Sequence, residues 1–350
     1  MIPWPQNGSA AVGAAGLGVI DASPGQQPLP MWSIAKVMTA LVVLDDHPLQ
    51  KDQPGPNLTI TDGDVQVYQQ KKANQESVVA VRAGEQLSEF QALEAILIPS
   101  GNNIADLLAS WDAGSVPAFI QKMNVRAKAL GMRQTTYTDP SGLDAGTRST
   151  PADLTRLAVV AIANPVLAGI VSQASTQLPV AGTVYNVDYA LGQSGIAGIK
   201  TGSNPDVSSA GFMFSAPFNV AGHTVTVVGA VMGLATLDDA FKAARGLIDF
   251  ARPLLTVADA VRDRQPVGRY VVPWGQSSTL QATADVALVQ WPGTVLQRRL
   301  EVPSLRPPLQ AGADHGDLEV VLGDQDVRVS VQPDRPISAP ARSWRLTRLA

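Results

Sequence analysis

The sequence predicts an α+β protein with two domains, in which a larger domain of helices and antiparallel strands precedes a small all-β domain. Helical patterns recur between residues 31 and 163, and strand patterns follow between residues 198 and 234. After Val261 the chain consists of short β-rich pieces separated by Pro and Gly turns. We therefore expect a first domain at 1–261 and a second at 262–350.

Composition excludes several classes of protein. The 350 residues are 45% hydrophobic and 16% charged, which is typical of a globular chain. A net charge of -4 and the lack of any Lys/Arg run longer than a pair argue against a nucleic-acid partner. The chain has no cysteine and only three distant histidines, so we expect no disulfide, no metal site and no cofactor.

The sequence shows no targeting or membrane-spanning pattern. Residues 1–4 lack the basic and apolar regions of a signal peptide, and no apolar run reaches the roughly 18 residues that a spanning helix needs. We expect a soluble protein as given, and a membrane tether outside the given chain stays open.

The N-terminal third is organised around a buried helix. A strand and a turn are expected over Ala10–Gly25, and the helix that follows ends at Asp46, shortly before a proline. From Val37 to Leu44 only Thr39 is polar, so this helix should be buried on nearly every side. Residues 54–83 are polar with short β-like pieces and predict surface structure.

Ser33 and Lys36 stand at the start of this helix. Residues three apart are neighbours on a helix, so the hydroxyl and the amine should meet at the edge of a dry core. A serine is a poor nucleophile until a neighbour takes its proton, and an amine can do so only if burial or a second cation lowers its pKa. Lys36 is therefore either a base or, as is commoner for a single lysine, a surface residue whose stem covers apolar groups.

A polar corner joins two further apolar helices. The first helix spans Gln91–Ile98 and stops at a proline, and the second spans Ile104–Trp111. The corner between them can present Ser100 and Asn102 to a cleft. The same two residues would equally fit a turn that caps the second helix.

The later segments supply the sheet. Helices are predicted at Pro117–Leu130, Thr150–Ala163 and Leu237–Ala251, and strands at 198–202, 210–215 and 223–234, the last two joined as a hairpin around Pro217–Asn219. Lys200-Thr201-Gly202 lies on the first of these strands. Gly202 and Ser203 leave the strand edge open for close backbone approach.

Three motifs in this order resemble a known family. Ser33-Ile34-Ala35-Lys36, Ser100-Gly101-Asn102 and Lys200-Thr201-Gly202 are similar to the motif set of the active-site serine penicillin-recognising enzymes, specifically the low-molecular-mass penicillin-binding proteins with D-alanyl-D-alanine carboxypeptidase activity. The likeness covers about Ala10 to Phe250. The likeness implies a β-lactamase/transpeptidase-like first domain. The C-terminal part resembles the small β-sandwich-like domain that follows the catalytic domain in the carboxypeptidase branch of the family.

The resemblance also implies a role for each motif residue. Ser33 would be the acylated nucleophile and Lys36 its base. Ser100 would pass protons to the leaving D-alanine nitrogen, and Asn102 would hold a substrate amide. Lys200 would place a second cation beside Lys36, which lowers the pKa of a neighbouring amine.

The same resemblance assigns the substrate end of the site. Lys200 and Thr201 would face the terminal carboxylate, with Gly202 and Ser203 alongside in the substrate site. The backbone N–H groups of Ser33 and Ser203 would form the oxyanion hole, where preorganised donors are typically worth a few kcal/mol of the barrier.

The implied partners are peptidoglycan stem peptides that end in D-alanyl-D-alanine, with β-lactam antibiotics as covalent inhibitors, in an extracytoplasmic location. Three alternatives stay open: a D,D-endopeptidase acting on cross-linked peptidoglycan, a β-lactamase-like enzyme, and a non-catalytic penicillin-binding scaffold. The intact Ser33, Lys36 and Lys200 speak against a scaffold.

Two absences from the sequence bear on these alternatives. No glutamate lies between Ser100 and Lys200, where a class A β-lactamase needs one to hold the deacylating water, so we expect slow release of a penicilloyl group. No Arg or Lys occurs from Leu157 to Ile199, where many relatives place an arginine that meets the substrate carboxylate. Either binding of that carboxylate rests on Lys200, Thr201 and Ser203 alone, or activity on a free pentapeptide is low.

Overall fold

The computed structural model describes residues 1–51, 53–303 and 306–346. The chain divides into two compact units, Met1–Pro253 and Leu254–Ala350. The first unit combines helices with an antiparallel sheet and the second is rich in β-strands, so the α+β class is confirmed. The predicted domain boundary at 261/262 stays a prediction, and the second unit begins before it.

The strands of the first unit are β1 (Ser9–Ala14), β2 (Gly18–Ala22), β3 (Leu29–Pro30), β4 (Asn57–Thr59), β5 (Gln86–Ser88), β6 (Arg148–Ser149), β7 (Ser175–Leu178), β8 (Gly182–Tyr185), β9 (Ile199–Asn204), β10 (Ser209–Val220) and β11 (His223–Leu234). Its helices are α1 (Lys36–Asp46), α2 (Asp62–Ala73), α3 (Glu89–Leu97), α4 (Asn102–Ala113), α5 (Val116–Ala129), α6 (Pro151–Ala163), α7 (Pro165–Val171) and α8 (Leu237–Ala251).

The central sheet of the first unit is antiparallel, in the order β2-β1-β11-β10-β9. β11 sits in the middle, and its residues from Val227 to Met232 are fully buried, as expected for a strand covered on both faces. Helices α6 and α8 pack against this sheet. β9 is the edge strand in this order, so the Lys-Thr-Gly motif lies at the margin of the sheet.

Helix α1 is the centre of the helical layer. It contacts α3, α4, α5 and α6, and every residue from Lys36 to Leu44 is buried. The apolar run predicted this burial, because a helix without a polar face must be packed on all sides. The end predicted at Asp46 is confirmed.

The predicted helices and the strand at His223–Leu234 are confirmed to within a few residues. The single strand predicted after Ala10 is wrong, because the chain turns at Gly16 (φ 82°) and returns as β2. The hairpin turn predicted around Pro217–Asn219 is also wrong. Pro217 lies inside β10, opposite Thr226, and the turn falls at Ala221 and Gly222, both with positive φ.

Residues 54–83 contain a helix that the sequence analysis missed. Helix α2 begins with a capping box, in which the Thr61 hydroxyl accepts from the Asp64 backbone N–H and the Asp64 carboxylate accepts from the Thr61 N–H. Tyr68 is its buried residue, and its other side chains are mostly exposed. Because the helix has so few apolar positions, its sequence has almost no hydrophobic periodicity and does not indicate a helix.

The second unit is built of two antiparallel sheets. Its elements are β12 (Thr256–Val261), β13 (Pro266–Val271), β14 (Ser277–Ala282), β15 (Val286–Gln290), β16 (Gln297–Glu301), β17 (Asp317–Leu322), β18 (Gln325–Pro333) and the short helix α9 (Arg342–Leu346). One sheet pairs β12 with β15, and the other has the order β13-β14-β18-β17-β16. Alternate residues of β17 (Leu318, Val320, Leu322) are buried, the pattern of a strand with one covered face. The last residues of the predicted β-rich stretch, 347–349, lie outside the described residues.

No single helix in the described part of the chain is long and apolar enough to cross a membrane. Among the described helices, only α6 and α7 together reach that length and composition, and the pair is bent by 104° at its break.

Glu89 is a buried carboxylic acid at the first position of α3. Neither of its carboxylate oxygens has a hydrogen-bond partner among the described residues. Burial, followed by the charge of Asp112, raises the pKa of Glu89 from 4.5 to about 7. Its place in the first turn of a helix favours the charged form and partly offsets the penalty.

A Glu89→Gln variant should therefore gain stability at alkaline pH. A carboxyl group whose pKa is raised by folding binds more protons in the folded than in the unfolded state, so wild-type stability falls as pH rises between about 4.5 and 7. Glutamine does not titrate, so we expect a gain on the order of 2 kcal/mol at pH 8 that disappears near pH 5. Urea unfolding at the two pH values measures it. Asp62→Asn, at the exposed first position of α2, is the control, and a gain equal at both pH values would contradict the explanation.

Candidate active site

Ser33 lies on a 3₁₀ turn, Trp32–Ala35, and Lys36 is the first residue of α1. This corrects the prediction of one continuous helix, and it strengthens the expected contact because residues three apart eclipse each other in a 3₁₀ turn. The Lys36 Nζ atom lies 2.8 Å from the Ser33 Oγ atom. Trp32 has a positive φ of 49°, and its indole N–H donates to the Ser209 hydroxyl at 3.0 Å. Trp32 is thus a buried anchor between the turn and β10.

Lys36 is fully buried, and its amine is held from two sides. Besides Ser33, the Nζ atom donates to the backbone carbonyl of Ser141 at 3.0 Å. Burial lowers the pKa of Lys36 well below its ordinary range, and the charge of Lys200 lowers it further, while Asp139 opposes the shift. These are the two causes that an amine needs in order to act as a base near neutral pH.

The loop Asp139–Leu143 forms one wall of this amine site. The Asp139 carboxylate accepts hydrogen bonds from the Ser141 N–H, the Ser141 hydroxyl and the Leu143 N–H, which closes the loop on itself. The Thr39 hydroxyl donates to the Pro140 carbonyl at 2.6 Å, so the one polar residue within the apolar run of α1 attaches the loop to the helix. At Gly142 (φ 81°) a Cβ atom would lie 1.7 Å from the Trp32 carbonyl oxygen, so only glycine fits there.

The polar corner lies between α3 and α4. Ser100 has a positive φ of 67°, and its buried hydroxyl has no hydrogen-bond partner among the described residues. Asn102 begins α4, and its Nδ2 atom donates to the Glu76 carboxylate at 3.0 Å. The Asn102 Oδ1 atom is buried and unpaired within the described ranges. Neither side chain caps α4, whose N-cap is Gly101, so the capping alternative is wrong.

The Lys-Thr-Gly motif runs along the edge strand β9. Gly202 packs against the Ser33 turn so closely that a Cβ atom there would lie 2.5 Å from the Met31 carbonyl oxygen and 3.2 Å from the Ile34 nitrogen. Because alternate residues of a strand share a face, Lys200 lies on the same side as Gly202. Lys200 and Thr201 are buried, and Ser203 is exposed.

Lys200 has an environment that nearly neutralises it. Among the described residues its Nζ atom makes only a long hydrogen bond, 3.4 Å, to the Thr201 carbonyl. Burial lowers the pKa of Lys200 to about 7, against the opposing charge of Asp188. Burial in turn raises the pKa of Asp188 to about 6. Lys200, whose charge lowers the pKa of Lys36, therefore has a pKa close to neutral pH itself.

The structure brings some of the predicted site residues into contact and leaves others apart. Ser33 and Lys36 are in direct contact, Gly202 packs on their turn, and Lys200 acts on Lys36 through its charge. Ser100 and Asn102 form no hydrogen bond to the other predicted residues within the described ranges. No group of three or more His, Asp or Glu side chains there could hold a metal ion.

Sequence reasoning did not find Glu76, its partner Lys71, or the Ser141 carbonyl. The first two lie in the stretch that was interpreted only as surface structure, and their spacing carries no motif. The third is a backbone atom, which no residue type can signal.

The fold is that of penicillin-binding proteins. The structure matches penicillin-binding protein 5 from Haemophilus influenzae with a TM-score of 0.71 over 97% of this chain and 99% of that chain, at 19% identity. It matches a peptidoglycan synthesis regulatory factor (PBP3) from Streptococcus pneumoniae with a TM-score of 0.72 over 95% and 99% of the two chains, also at 19% identity. At this identity the likeness establishes the fold alone.

The family follows from sequence similarity. Residues 12–235 match the profile of the D-alanyl-D-alanine carboxypeptidase family, peptidase family S11, and the chain belongs to this family. It is 36% identical over 166 residues to a D-alanyl-D-alanine endopeptidase of Pseudomonas aeruginosa, an alignment that covers 47% of this chain and 48% of that protein. It is 36% identical over 153 residues to a D-alanyl-D-alanine carboxypeptidase of Mycobacterium tuberculosis, which covers 43% of this chain and 48% of that protein. The chain thus spans about half the length of these relatives.

Gly202→Ala should damage the site more than the fold. The new methyl group would lie 2.5 Å from a backbone carbonyl oxygen, so β9 must move away from the Ser33 turn. We expect a loss of about 1–3 kcal/mol in stability and at least a tenfold slower acylation of Ser33 by penicillin. Thermal melting and a labelled-penicillin time course measure the two effects.

The control is Gly246→Ala on α8, where a Cβ atom meets nothing within 4 Å. It should be neutral or slightly stabilising, because alanine favours a helix over glycine. Wild-type acylation by the Gly202→Ala variant would refute the close packing of β9 on the turn.

Proposed function

We propose that this protein is a serine-type D-alanyl-D-alanine carboxypeptidase, which removes the terminal D-alanine from peptidoglycan stem peptides through an acyl-enzyme on Ser33. The observation that carries the proposal is the contact of 2.8 Å between the Ser33 hydroxyl and the buried amine of Lys36. A lysine whose pKa is lowered by burial is neutral often enough to accept the serine proton.

Acylation follows from this geometry. Neutral Lys36 takes the proton of the Ser33 hydroxyl with its lone pair, while one of its N–H groups stays hydrogen-bonded to the Ser141 carbonyl. The Ser33 oxygen attacks the carbonyl carbon of the penultimate D-alanine, and the negative charge of the tetrahedral intermediate is met by the backbone N–H groups of Ser33 and Ser203. Ser100 passes the proton that Lys36 took from Ser33 to the nitrogen of the leaving D-alanine, and the C–N bond of the tetrahedral intermediate breaks. Water then hydrolyses the ester and restores Ser33.

The remaining site residues bind the peptide. Asn102 holds a substrate amide, and Gly202 lets β9 lie close to the nucleophile. By resemblance to the family, Lys200, Thr201 and Ser203 meet the terminal carboxylate, and residues 157–199 offer no Arg or Lys for it. A carboxylate beside Lys200 favours its ammonium form. Binding of substrate would therefore protonate the Lys200 amine, whose pKa in the free protein is about 7.

Endopeptidase action on cross-linked peptides is the second candidate. It is favoured by the names of relatives from Pseudomonas aeruginosa and Escherichia coli, both called D-alanyl-D-alanine endopeptidase, at 36% and 33% identity. The chemistry at Ser33 is the same in both candidates.

The partners and the location follow from the substrate. Peptidoglycan lies outside the cytoplasmic membrane, so we place the protein in the cell envelope, with β-lactams as covalent inhibitors. We assign the chemistry to the predicted domain 1–261 and none of it to 262–350. No glutamate lies between Ser100 and Lys200, so a bound penicilloyl group should be released slowly, unlike in a β-lactamase.

The test uses wild type and Ser33→Ala. Wild type should bind a fluorescent penicillin covalently on Ser33 and keep it for minutes, and should release D-alanine from a pentapeptide. Ser33→Ala should lose both reactions, by at least about a thousandfold for the peptide, with a melting temperature near that of wild type. The exposed Ser172→Ala is the matched control and should behave as wild type. Labelling that persists in Ser33→Ala, or rapid turnover of penicillin by wild type, would refute the proposal.

Mass spectrometry of the products separates the two candidates. D-Alanine released from the pentapeptide only, with the cross-linked dimer left intact, identifies a carboxypeptidase. Cleavage of the dimer alone identifies an endopeptidase and would overturn the carboxypeptidase assignment while leaving the role of Ser33 intact.

A further inference from the structure

Asp188 is a buried carboxylic acid that no step of the reaction described above uses. It is only 3% exposed, and its Oδ2 atom has no hydrogen-bond partner among the described residues. It is also the only acidic residue between Leu157 and Lys200 in the sequence. A buried carboxylate oxygen without a donor is costly, so a charge nearby must account for it.

The chain around Asp188 alternates between exposed and buried residues. Tyr185 and Tyr189 are exposed, whereas Asn186, Asp188 and Ala190 are buried. Two local hydrogen bonds fix this conformation. The Asp188 N–H donates to the Asn186 Oδ1 atom at 2.9 Å, and the Ala190 N–H donates to the Asp188 Oδ1 atom at 3.0 Å. One oxygen of the carboxylate therefore holds the backbone, and the other stays buried without a donor in the described part of the chain.

Val171, the last residue of α7, places this segment beside the start of β9. The Asn186 Nδ2 atom donates to the Val171 carbonyl at 3.3 Å. A Cβ atom on Gly198 would lie 2.9 Å from the same carbonyl oxygen, so Gly198 packs directly on it. Asp188 follows Asn186 by two residues, Lys200 follows Gly198 by two residues, and both are buried. The two charged side chains are therefore held in the same buried region.

Asp188 and Lys200 interact as charges at a distance. No hydrogen bond joins them among the described residues, where Lys200 has only its long contact with the Thr201 carbonyl. Buried charges are screened much less than exposed ones, so the attraction acts over a longer range than it would in water. Burial favours the neutral amine of Lys200, and the charge of Asp188 opposes that effect.

The other elements around this region offer Lys200 no second carboxylate. Strand β10 and helix α7, which pack against β9, contain no charged residue, and the Ser33 turn brings only the amine of Lys36. The charged residues of α8 are exposed, apart from the half-buried Arg245, which donates to Gln193. On α3, whose C-terminal end meets the segment, the Glu94 carboxylate accepts from the Thr176 hydroxyl. Asp188 is thus the counter-charge of Lys200 in the described part of the chain.

We propose that Asp188 is a positioning residue, a buried counter-charge that keeps Lys200 protonated in the free protein so that Lys200 can bind the carboxylate of the substrate. Asp188 does not touch the reacting atoms and acts through Lys200. This role rests on the proposed peptidase function, in which Lys200 meets the terminal carboxylate.

The test compares wild type and Asp188→Asn in acylation by benzylpenicillin over a series of pH values. Asparagine can still accept from the Ala190 N–H but carries no charge, so the pKa of Lys200 should fall below its value of about 7. At low pH Lys200 is protonated in both proteins, and as pH rises the variant loses this proton first. We expect the second-order rate constant to be about tenfold lower than wild type at pH 8 and within about twofold at pH 5. Equal rates at pH 8, or the same loss at both pH values, would overturn the proposal.

A second substrate distinguishes a charge effect from a general structural effect. The methyl ester of benzylpenicillin offers Lys200 no carboxylate, so Asp188→Asn should react with it at pH 8 at nearly the wild-type rate. An equal loss with the acid and the ester would contradict the assigned role. Asp249→Asn is the matched control, because Asp249 is an exposed carboxylate on α8 that accepts from the Ser194 hydroxyl. It should keep the wild-type pH profile.

A titration of Lys200 separates this inference from the proposed function. In NMR spectra of isotope-labelled lysine side chains, the Lys200 signal is identified by its loss in Lys200→Met. It should titrate at lower pH in Asp188→Asn than in wild type, and an unchanged titration would overturn the inference while the peptidase assignment stands. If wild type does not label with penicillin, the peptidase assignment fails, and the titration still decides whether Asp188 is the counter-charge of Lys200.

A second variant covers the case in which Asp188→Asn does not fold. The serine of Asp188→Ser also carries no charge, and its hydroxyl can accept from the Ala190 N–H. It takes the place of Asp188→Asn in all three measurements, with the same results expected.

Discussion

The site depends on the burial of one amine. Lys36 is the first residue of a helix whose first nine residues are all buried, and its amine lies against the Ser33 turn and the Ser141 carbonyl. Water that would stabilise an ammonium ion is excluded there, and the neutral form is favoured. The 3₁₀ turn before α1 then brings the Ser33 hydroxyl to 2.8 Å from that amine. Nucleophile and base are thus placed by the same few residues.

The surrounding structure holds this arrangement with backbone atoms as much as with side chains. The Ser141 carbonyl accepts from Lys36, and the loop that carries it is attached to α1 by Thr39. Gly142 and Gly202 let the loop and β9 approach the turn to distances that no Cβ atom would permit. The second amine, Lys200, opposes protonation of Lys36 while burial lowers its own pKa to about 7. A bound carboxylate beside Lys200 would favour the ammonium form of Lys200, whose charge in turn favours the neutral form of Lys36.

The sequence predicted the parts of the fold and site that periodicity and motifs encode. The apolar run from Val37 to Leu44 predicted a buried helix, and the spacing of Ser33 and Lys36 predicted their contact. The 3₁₀ turn was not predicted, because its hydrogen bonding differs from that of an α-helix by one residue and leaves no pattern. The β1–β2 turn was missed for a related reason, since glycine is compatible with both a strand and a turn at Gly16.

Residues that act through tertiary contacts were beyond sequence reasoning. Lys71 lies on the mostly polar helix α2 and Glu76 lies just after its end, and only the fold brings Glu76 against Asn102. Such a charged pair is indistinguishable in sequence from a solvated one. Asp188 is similar, since its effect on Lys200 depends on a loop that no periodic signal predicted. Such residues are identified from their burial and their contacts in the structure, and not from their spacing in the sequence.

Lys36 should be neutral at a pH where the exposed lysines are charged. A titration by NMR of isotope-labelled lysine side chains tests it, with the Lys36 signal identified by its loss in Lys36→Arg. The account predicts that Lys36 titrates well below the ordinary lysine value of about 10.4, and that Lys200→Met, which removes the neighbouring cation, moves that titration to higher pH. A Lys36 signal that titrates with the exposed lysines, unaffected by Lys200→Met, would contradict it.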